Sequence, residues 1–183
     1  MSSERDANSG SLTSFDSRAS GRHRNASGAQ ARAEYINLCA FWIGERCFAI
    51  DTWLVGEVVS VENCIQVPLA PLALRGVFNL RGDAVPLISL SAVLNLRSQE
   101  RSEGATIAVV LRAKDMLAAL IADRMEPVLT DVRERITPPA NGEDPVIFGF
   151  LELASKGRSI VSVLESSALV ERLLGLNVKA ANA

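Results

Sequence analysis

Histidine is almost missing from this chain: of 183 residues only His23 carries an imidazole, and it lies in a Ser- and Arg-rich leader. Serine or cysteine triads with a histidine base, imidazole-built metal centres and phosphotransfer through histidine all need such a group in the folded body. The sequence therefore excludes them there. Cysteine is sparse as well. Cys39, Cys47 and Cys64 are odd in number and show no C-x-x-C spacing, which reads as free, mostly buried thiols in a reducing compartment, with no metal and no other cofactor. The longest apolar run, MLAALIA at 116–122, falls far short of the roughly 18 residues of a membrane span. No hydrophobic targeting core precedes it, so a soluble cytoplasmic protein is expected. Charge of one sign is also scarce. The formal net charge is -2, and five of the 19 Lys+Arg stand in the first 33 residues against three of the 21 Asp+Glu. The remainder is mildly acidic and lacks the clustered basic footprint of a nucleic-acid binder.

What is present begins after residue 33. Residues 1–33 hold eight Ser and three Gly, with Met1, Leu12 and Phe15 as large apolar groups; such a leader cannot offset its ordering entropy and is expected to be disordered. From Glu34 the texture changes. YINLCAFWI (35–43), a Gly44-Glu45 turn and RCFAI (46–50) predict a hairpin covered on both faces. TWLVGEV (52–58) reads either as one helical turn or as the start of a strand. Val67-Pro68 and Ala70-Pro71 mark a loop. Apolar runs continue at 84–90, 106–111, 116–122, 146–153 and 159–164, with tight turns expected at Lys114-Asp115 and Lys156-Gly157 and a polar loop at TPPANGEDP (137–145). Many short strands with Gly and Pro turns predict an all-β barrel or sandwich. Leu169, Val170, Leu173, Leu174 and Leu176 share a helical face, with Ser167 in a capping position and Gly175 in a terminating one.

The most unusual stretch is LRGVFNLRGDAVPLISL (74–90). Arg75 and Arg81 are an even number of residues apart, so in an extended strand they share one face with Val77 and Asn79, while Phe78 and Leu80 face a core. Pro86 demotes the following strand to an edge or a bulge. A face with two guanidinium groups and an amide should meet water or another protein. Trp42 and Trp53 read as core or groove walls. Asp123 with Glu126, and Glu143 with Asp144, could be imagined as acid-base pairs, but none has a third group to tune it, and solvated turns explain them better. Arg81-Gly82-Asp83 spells a cell-adhesion tripeptide, a coincidence in a cytoplasmic turn.

FWIGERCFAIDTWLVGEVV (41–59), RGVFNLRGDAVPLISL (75–90), LIADRMEPV (120–128) and GRSIVSVLESSALVERLL (157–174), in that order, resemble the CheW-like adaptor proteins of bacterial chemotaxis across nearly all of residues 35–175. The most specific part is Asn79-Leu80-Arg81-Gly82 followed by Val85-Pro86. The resemblance implies a mainly all-β fold of two small five-stranded β-barrels sharing a core, with short helices and a C-terminal helix, over residues 34–178 and followed by a disordered tail (179–183). It implies no enzyme activity, in agreement with the missing histidine. The implied role is that of a scaffold coupling chemoreceptors (methyl-accepting chemotaxis proteins) to a CheA-type histidine autokinase at membrane-associated receptor arrays. The implied contact positions are Arg81 and Gly82, with Asn79 and Leu80, in a partner-binding turn, Val55 and Glu57 toward the kinase's regulatory domain or the receptor, and Ile107 lining a receptor groove between the barrels. The family reading makes Gly76 and Gly82 backbone devices that end the strand at both sides. Ser89 stands where the family usually has Asp, Ala119 where it usually has Gly, and the leader is longer than a minimal adaptor needs. Two other readings stay open: an adaptor of a related pathway such as surface motility, and a small β-barrel ligand-binding protein or enzyme, which would bring polar groups converging on a cavity.

Overall fold

A computed structural model of the chain describes residues 34–97, 106–113, 116–153 and 159–181, with side chains described through residue 176. The leader and the two Lys-containing turns lie outside the described residues. The first expectation holds at once. β1 (Tyr35–Ile43) and β2 (Arg46–Asp51) form an antiparallel hairpin in which Ile43 faces Arg46, turned by Gly44 at φ 59°. Both readings of the next segment hold together, because Thr52–Leu54 makes one 3-10 turn and β3 (Val55–Val61) follows directly. The remaining strands are β4 (Leu74–Leu80), β5 (Asp83–Ile88), β6 (Thr106–Ala113), β7 (Met116–Ala122), β8 (Arg124–Met125), β9 (Leu129–Val132), β10 (Ile147–Leu153) and β11 (Ser159–Leu164). Two helices, α1 (Leu90–Val93) and α2 (Ser166–Ala181), complete the order.

The strands make two sheets. One runs β3-β6-β7-β5-β4; the other runs β10-β11-β2-β1-β8, with β9 also on β1. β9 pairs with Tyr35–Leu38 and β8 with Phe41 and Trp42, so they occupy one side of β1 like a single broken strand. The two sheets share a plan. In each, an antiparallel edge hairpin (β4–β5 or β10–β11) joins a second hairpin through a short parallel contact, β5 to β7 or β11 to β2, and a helix follows.

Alternation along the strands explains why they are apolar on both faces. Cys39, Phe41 and Ile43 of β1, with Phe48 and Ile50 of β2, pack in one cluster with Val109, Leu111, Ala118 and Leu120 of the other sheet, with Leu90 of α1 and with Leu169 and Leu173 of α2. The intervening residues Leu38, Ala40, Cys47 and Ala49 face a second cluster that belongs to their own sheet. Phe78, Val85, Leu87, Ala108, Val110 and Ala119 form the third. Each sheet thus has a private core on one face and shares the other, and burial from water on both faces drives the arrangement. In each sheet an isolated bridge among the described residues ties an edge strand to a segment outside the ladder, Val77 of β4 to Ile65 after β3, and Phe150 of β10 to Thr137 after β9.

Each bridge needs a glycine. The β4–β5 register slips between Leu74 and Gly76, and the β10–β11 register slips between Ile147 and Gly149. A Cβ on Gly76 would stand 2.6 Å from the Ile65 carbonyl oxygen, and one on Gly149 would stand 2.6 Å from that of Thr137. The bulge and the missing side chain together admit the crossing segment. Gly76 therefore does not end its strand; β4 runs through it.

Three further expectations are corrected. β5 lies inside its sheet, not at the edge. It tolerates Pro86 because the β7 contact starts only at Leu87, leaving Pro86 paired with Val77 alone, where one ladder hydrogen bond fewer matters little. Gly175 does not end α2, which continues to Ala181; the glycine is exposed with nothing near it. Ser167 does not cap α2 either. Glu165 does, its carboxylate accepting from the Ala168 N–H. Of the five apolar residues assigned to the helix face, Leu169 and Leu173 are fully buried, whereas Leu174 is exposed.

Candidate functional site

The turn between β4 and β5 is a two-residue connection, since Leu80 pairs with Asp83. Both connecting residues have positive φ, 54° at Arg81 and 101° at Gly82, as a hairpin turn matched to the right-handed strand twist demands. Nothing lies within 4 Å of a Cβ built on Gly82, so backbone conformation, not space, selects glycine there. Asn79 fixes the turn from below, its side-chain oxygen accepting from the Gly82 N–H at 3.1 Å. Arg81 accordingly does not belong to the strand, and even spacing from Arg75 does not set its direction. The turn does.

From that turn the Arg81 guanidinium reaches Glu57 on β3, with Nη1 to Oε1 at 3.1 Å and Nη2 to Oε2 at 2.8 Å. β3 and β4 are opposite edges of their sheet, so this forked pair ties the β4–β5 turn to β3, as the Ile65–Val77 bridge ties β4 to the segment after β3. Glu57 sits beyond a register slip from Val55 and is paired across the ladder with Val110, a private-core residue. Its stem is directed toward apolar neighbours, while its charge is met by Arg81. Arg81 remains 78% exposed and Glu57 23%, so the pair lies at the surface and adds about 0–1 kcal/mol to folding. Two of the five guanidinium N–H donors are engaged; the others can meet acceptors of another molecule.

Four of the seven residues singled out in the sequence, Arg81, Gly82, Asn79 and Glu57, converge here. Leu80 is adjacent and packs on the private core. Val55 and Ile107 do not join them: both pack against the core shared by the sheets, and Ile107 lies between Ser60 and Ala122 on β6. Arg81 and Glu57 are each readable in the sequence but their pairing is not, because nothing in a separation of 24 residues encodes a contact between β3 and the β4–β5 turn.

The remaining candidates have structural work. The Asp123 carboxylate accepts from the Gly44 N–H, Glu126 accepts from Trp42 Nε1 at 2.9 Å, and Arg124 lies 4.0 Å over the Trp42 ring. Together they fasten β8 to β1. Asp144 binds Arg172 of α2 at 2.6 Å. Burial pushes the Asp144 carboxyl up, but hydrogen bonds from Arg172 and from the Val146 N–H, with the guanidinium charge, outweigh it and hold the group below its usual range. Asp123, Glu126 and Asp144 are thus anchored, not simply solvated, and the arrangement offers no acid-base pair. Trp53 is 64% exposed, a wall but not core. Ser89 is buried, accepts from the Ala92 N–H at 3.3 Å and shares a hydrogen bond with Ser91 Oγ at 2.8 Å. A hydroxyl caps α1 there without burying a charge. Among the described residues no three His, Cys, Asp or Glu side chains gather as metal ligands, and no helix is long and apolar enough to cross a membrane.

The chain resembles known proteins in both sequence and fold. A family model described as the CheW-like domain matches residues 38–174. "Chemotaxis protein CheW" of Treponema pallidum is 31% identical over 109 residues, 58% of this chain and 64% of that protein. The protein of the same name from Helicobacter pylori is 31% identical over 105 residues, 57% of this chain and 63% of its own. That from Rhizobium meliloti is 30% identical over 128 residues, covering 69% and 82%. The chain thus spans just under two thirds of the first two of these relatives. The crystal structure of scaffolding protein TtCheW from Thermoanaerobacter tengcongensis superposes with a TM-score of 0.63 at 19% identity, over 75% of this chain and 88% of that one. The two-sheet fold is therefore that of a CheW protein, and the match over residues 38–174 shows that this chain belongs to the CheW-like domain family.

Proposed function

We propose that this chain is a non-enzymatic chemotaxis scaffold that couples chemoreceptors to a CheA-type histidine autokinase, with residues 34–178 as the coupling module and receptor arrays at the membrane as its place of work. The observation that carries this reading is the Arg81–Glu57 fork, which stands exposed where the β4–β5 turn meets β3, inside the segment matched by the CheW-like family. Arg81 and Gly82, with Asn79 and Leu80, form the partner-binding turn, Val55 and Glu57 meet the kinase's regulatory domain or the receptor, and Ile107 belongs to a receptor-facing groove. The packing of Ile107 on the shared core, away from the fork, supports a second, separate surface. A scaffold of this kind shifts kinase activity only through unequal affinity for the kinase's on and off states. The test is co-elution of the chain with the cognate kinase and a receptor cytoplasmic fragment. One ternary peak, absent when this chain is omitted, is expected; two unlinked binary or free species would refute coupling.

A further inference from the structure

A cleft of about 140 Å³ opens on the sheet opposite to the fork. Its floor is apolar and continuous with that sheet's private core, through Ile36, Leu38, Ile136 and Val163. Its rim carries Trp53, Asp51 and Glu165. The volume is well under the roughly 300–1,000 Å³ of small-molecule and cofactor sites; it suits one side chain.

The rim states which kind. Asp51 and Glu165 are fixed by short-range backbone bonds, Asp51 Oδ1 accepting from the Trp53 N–H at 3.2 Å and Glu165 Oε2 from the Ala168 N–H. Each uses one carboxylate oxygen in doing so. The Asp51 bond holds Trp53 in its 3-10 turn, with the indole largely exposed. The one cation of the lining, Arg133, is already engaged within the wall: its guanidinium lies 4.8 Å over Phe148, also a lining residue, and 3.7 Å from Glu34, which supplies its counter-charge. Two carboxylates and an aromatic face thus surround an apolar floor. A long basic side chain satisfies all three at once, its methylenes on the floor and its charge between the carboxylates and the indole. A purely apolar side chain would leave the carboxylates without a counter-charge, and an acidic one would add a third negative group beside an Arg133 already paired with Glu34.

We propose that the cleft beside Trp53 is a docking site for an arginine or lysine side chain of a protein partner. It is independent of the coupling role and lies on the other sheet from the Arg81–Glu57 fork. The test uses the full chain labelled with 15N-tryptophan, which gives two indole signals; Trp53→Phe assigns them. The probe is acetyl-Leu-Arg-Leu-amide, titrated beside acetyl-Leu-Gln-Leu-amide and acetyl-Leu-Glu-Leu-amide. The Trp53 indole should shift saturably with the arginine peptide, at an affinity at least tenfold above the other two. Asp51→Asn with Glu165→Gln keeps both capping acceptors and should remove that preference. Equal shifts with all three peptides, movement of the Trp42 signal alone, or an unchanged preference in the double variant would each overturn the proposal.

Discussion

Gly76→Ala is the perturbation whose consequence the structure fixes most tightly. The new methyl would lie 2.6 Å from the Ile65 carbonyl oxygen, 3.1 Å from its carbon and 3.2 Å from Cys64 Sγ. Two of these three neighbours are backbone, which cannot swing aside as a side-chain tip can. Relief requires the Ile65 strand segment to move away, and that breaks the reciprocal pair Ile65 N–H to Val77 O and Val77 N–H to Ile65 O, both 2.8 Å. At about 1 kcal/mol for each net hydrogen bond, with a further contribution of about 1 kcal/mol from residual strain, the loss is roughly 2–3 kcal/mol. With a urea m-value of roughly 2 kcal/mol/M, the unfolding midpoint should fall by about 1–1.5 M. Gly82→Ala is the contrast: it meets nothing within 4 Å and suffers only from φ 101°, about 1 kcal/mol. Urea melts followed by circular dichroism give both numbers. A Gly76→Ala midpoint within 0.2 M of the parent, or a larger loss in Gly82→Ala, would refute the view that the bridge ties β4 to the segment after β3.

The Asp144–Arg172 pair predicts an acid-side effect. A carboxyl held below its unfolded value stabilises the fold above that value and loses the contribution as pH falls through the folded one, so Asp144→Asn should flatten the acid limb of a stability-versus-pH curve while leaving its slope above neutrality unchanged. Of the three free thiols, Cys64 is exposed and Cys39 and Cys47 are buried, and burial pushes the Cys39 thiol up. A thiol reagent at pH 8 should therefore titrate one group quickly and the other two only in denaturant; fast reaction of all three would contradict the shared and private cores. Glu126→Gln should keep the Trp42 hydrogen bond and melt close to the parent, whereas Arg124→Ala removes the stack on Trp42 and should lower stability by about 0.5–1 kcal/mol, read from the same melts.

Much of the fold was legible because its signals are local. The Gly44-Glu45 turn between two apolar runs gives β1 and β2, and Asn79 with Gly82 gives a turn whose chemistry requires an amide acceptor and a positive φ. Gly76 reads as a strand end in one dimension, yet it serves a contact with Ile65 that local pattern does not contain, as Gly149 does with Thr137. Pro86 reads as a mark of an edge or a bulge; the β4–β5 ladder does slip beside it, opposite Leu87 and Ile88, but sequence cannot show that the β7 contact begins one residue later and so leaves β5 inside the sheet. Gly175 marks a helix end by propensity, but Leu169 and Leu173 anchor the helix strongly enough to override it. At the candidate site the residue types were legible and the geometry was not: that Arg81 answers Glu57 is a contact between residues 24 apart, which local pattern does not contain. Trp53 reads as core or groove wall; the Asp51 cap turns it outward, so only the wall reading holds.

The most direct test of the coupling reading is isothermal titration of the kinase regulatory domain with the parent chain and with Arg81→Ala, alongside Arg75→Ala, whose position carries no matched motif. Arg81→Ala should bind about tenfold or more weakly, a loss of about 1–3 kcal/mol for a charge-assisted contact, while its melting curve stays within about 1 kcal/mol of the parent because the Glu57 pair is exposed. Arg75→Ala should bind as the parent does. Equal affinity of all three proteins for the kinase domain would contradict the account.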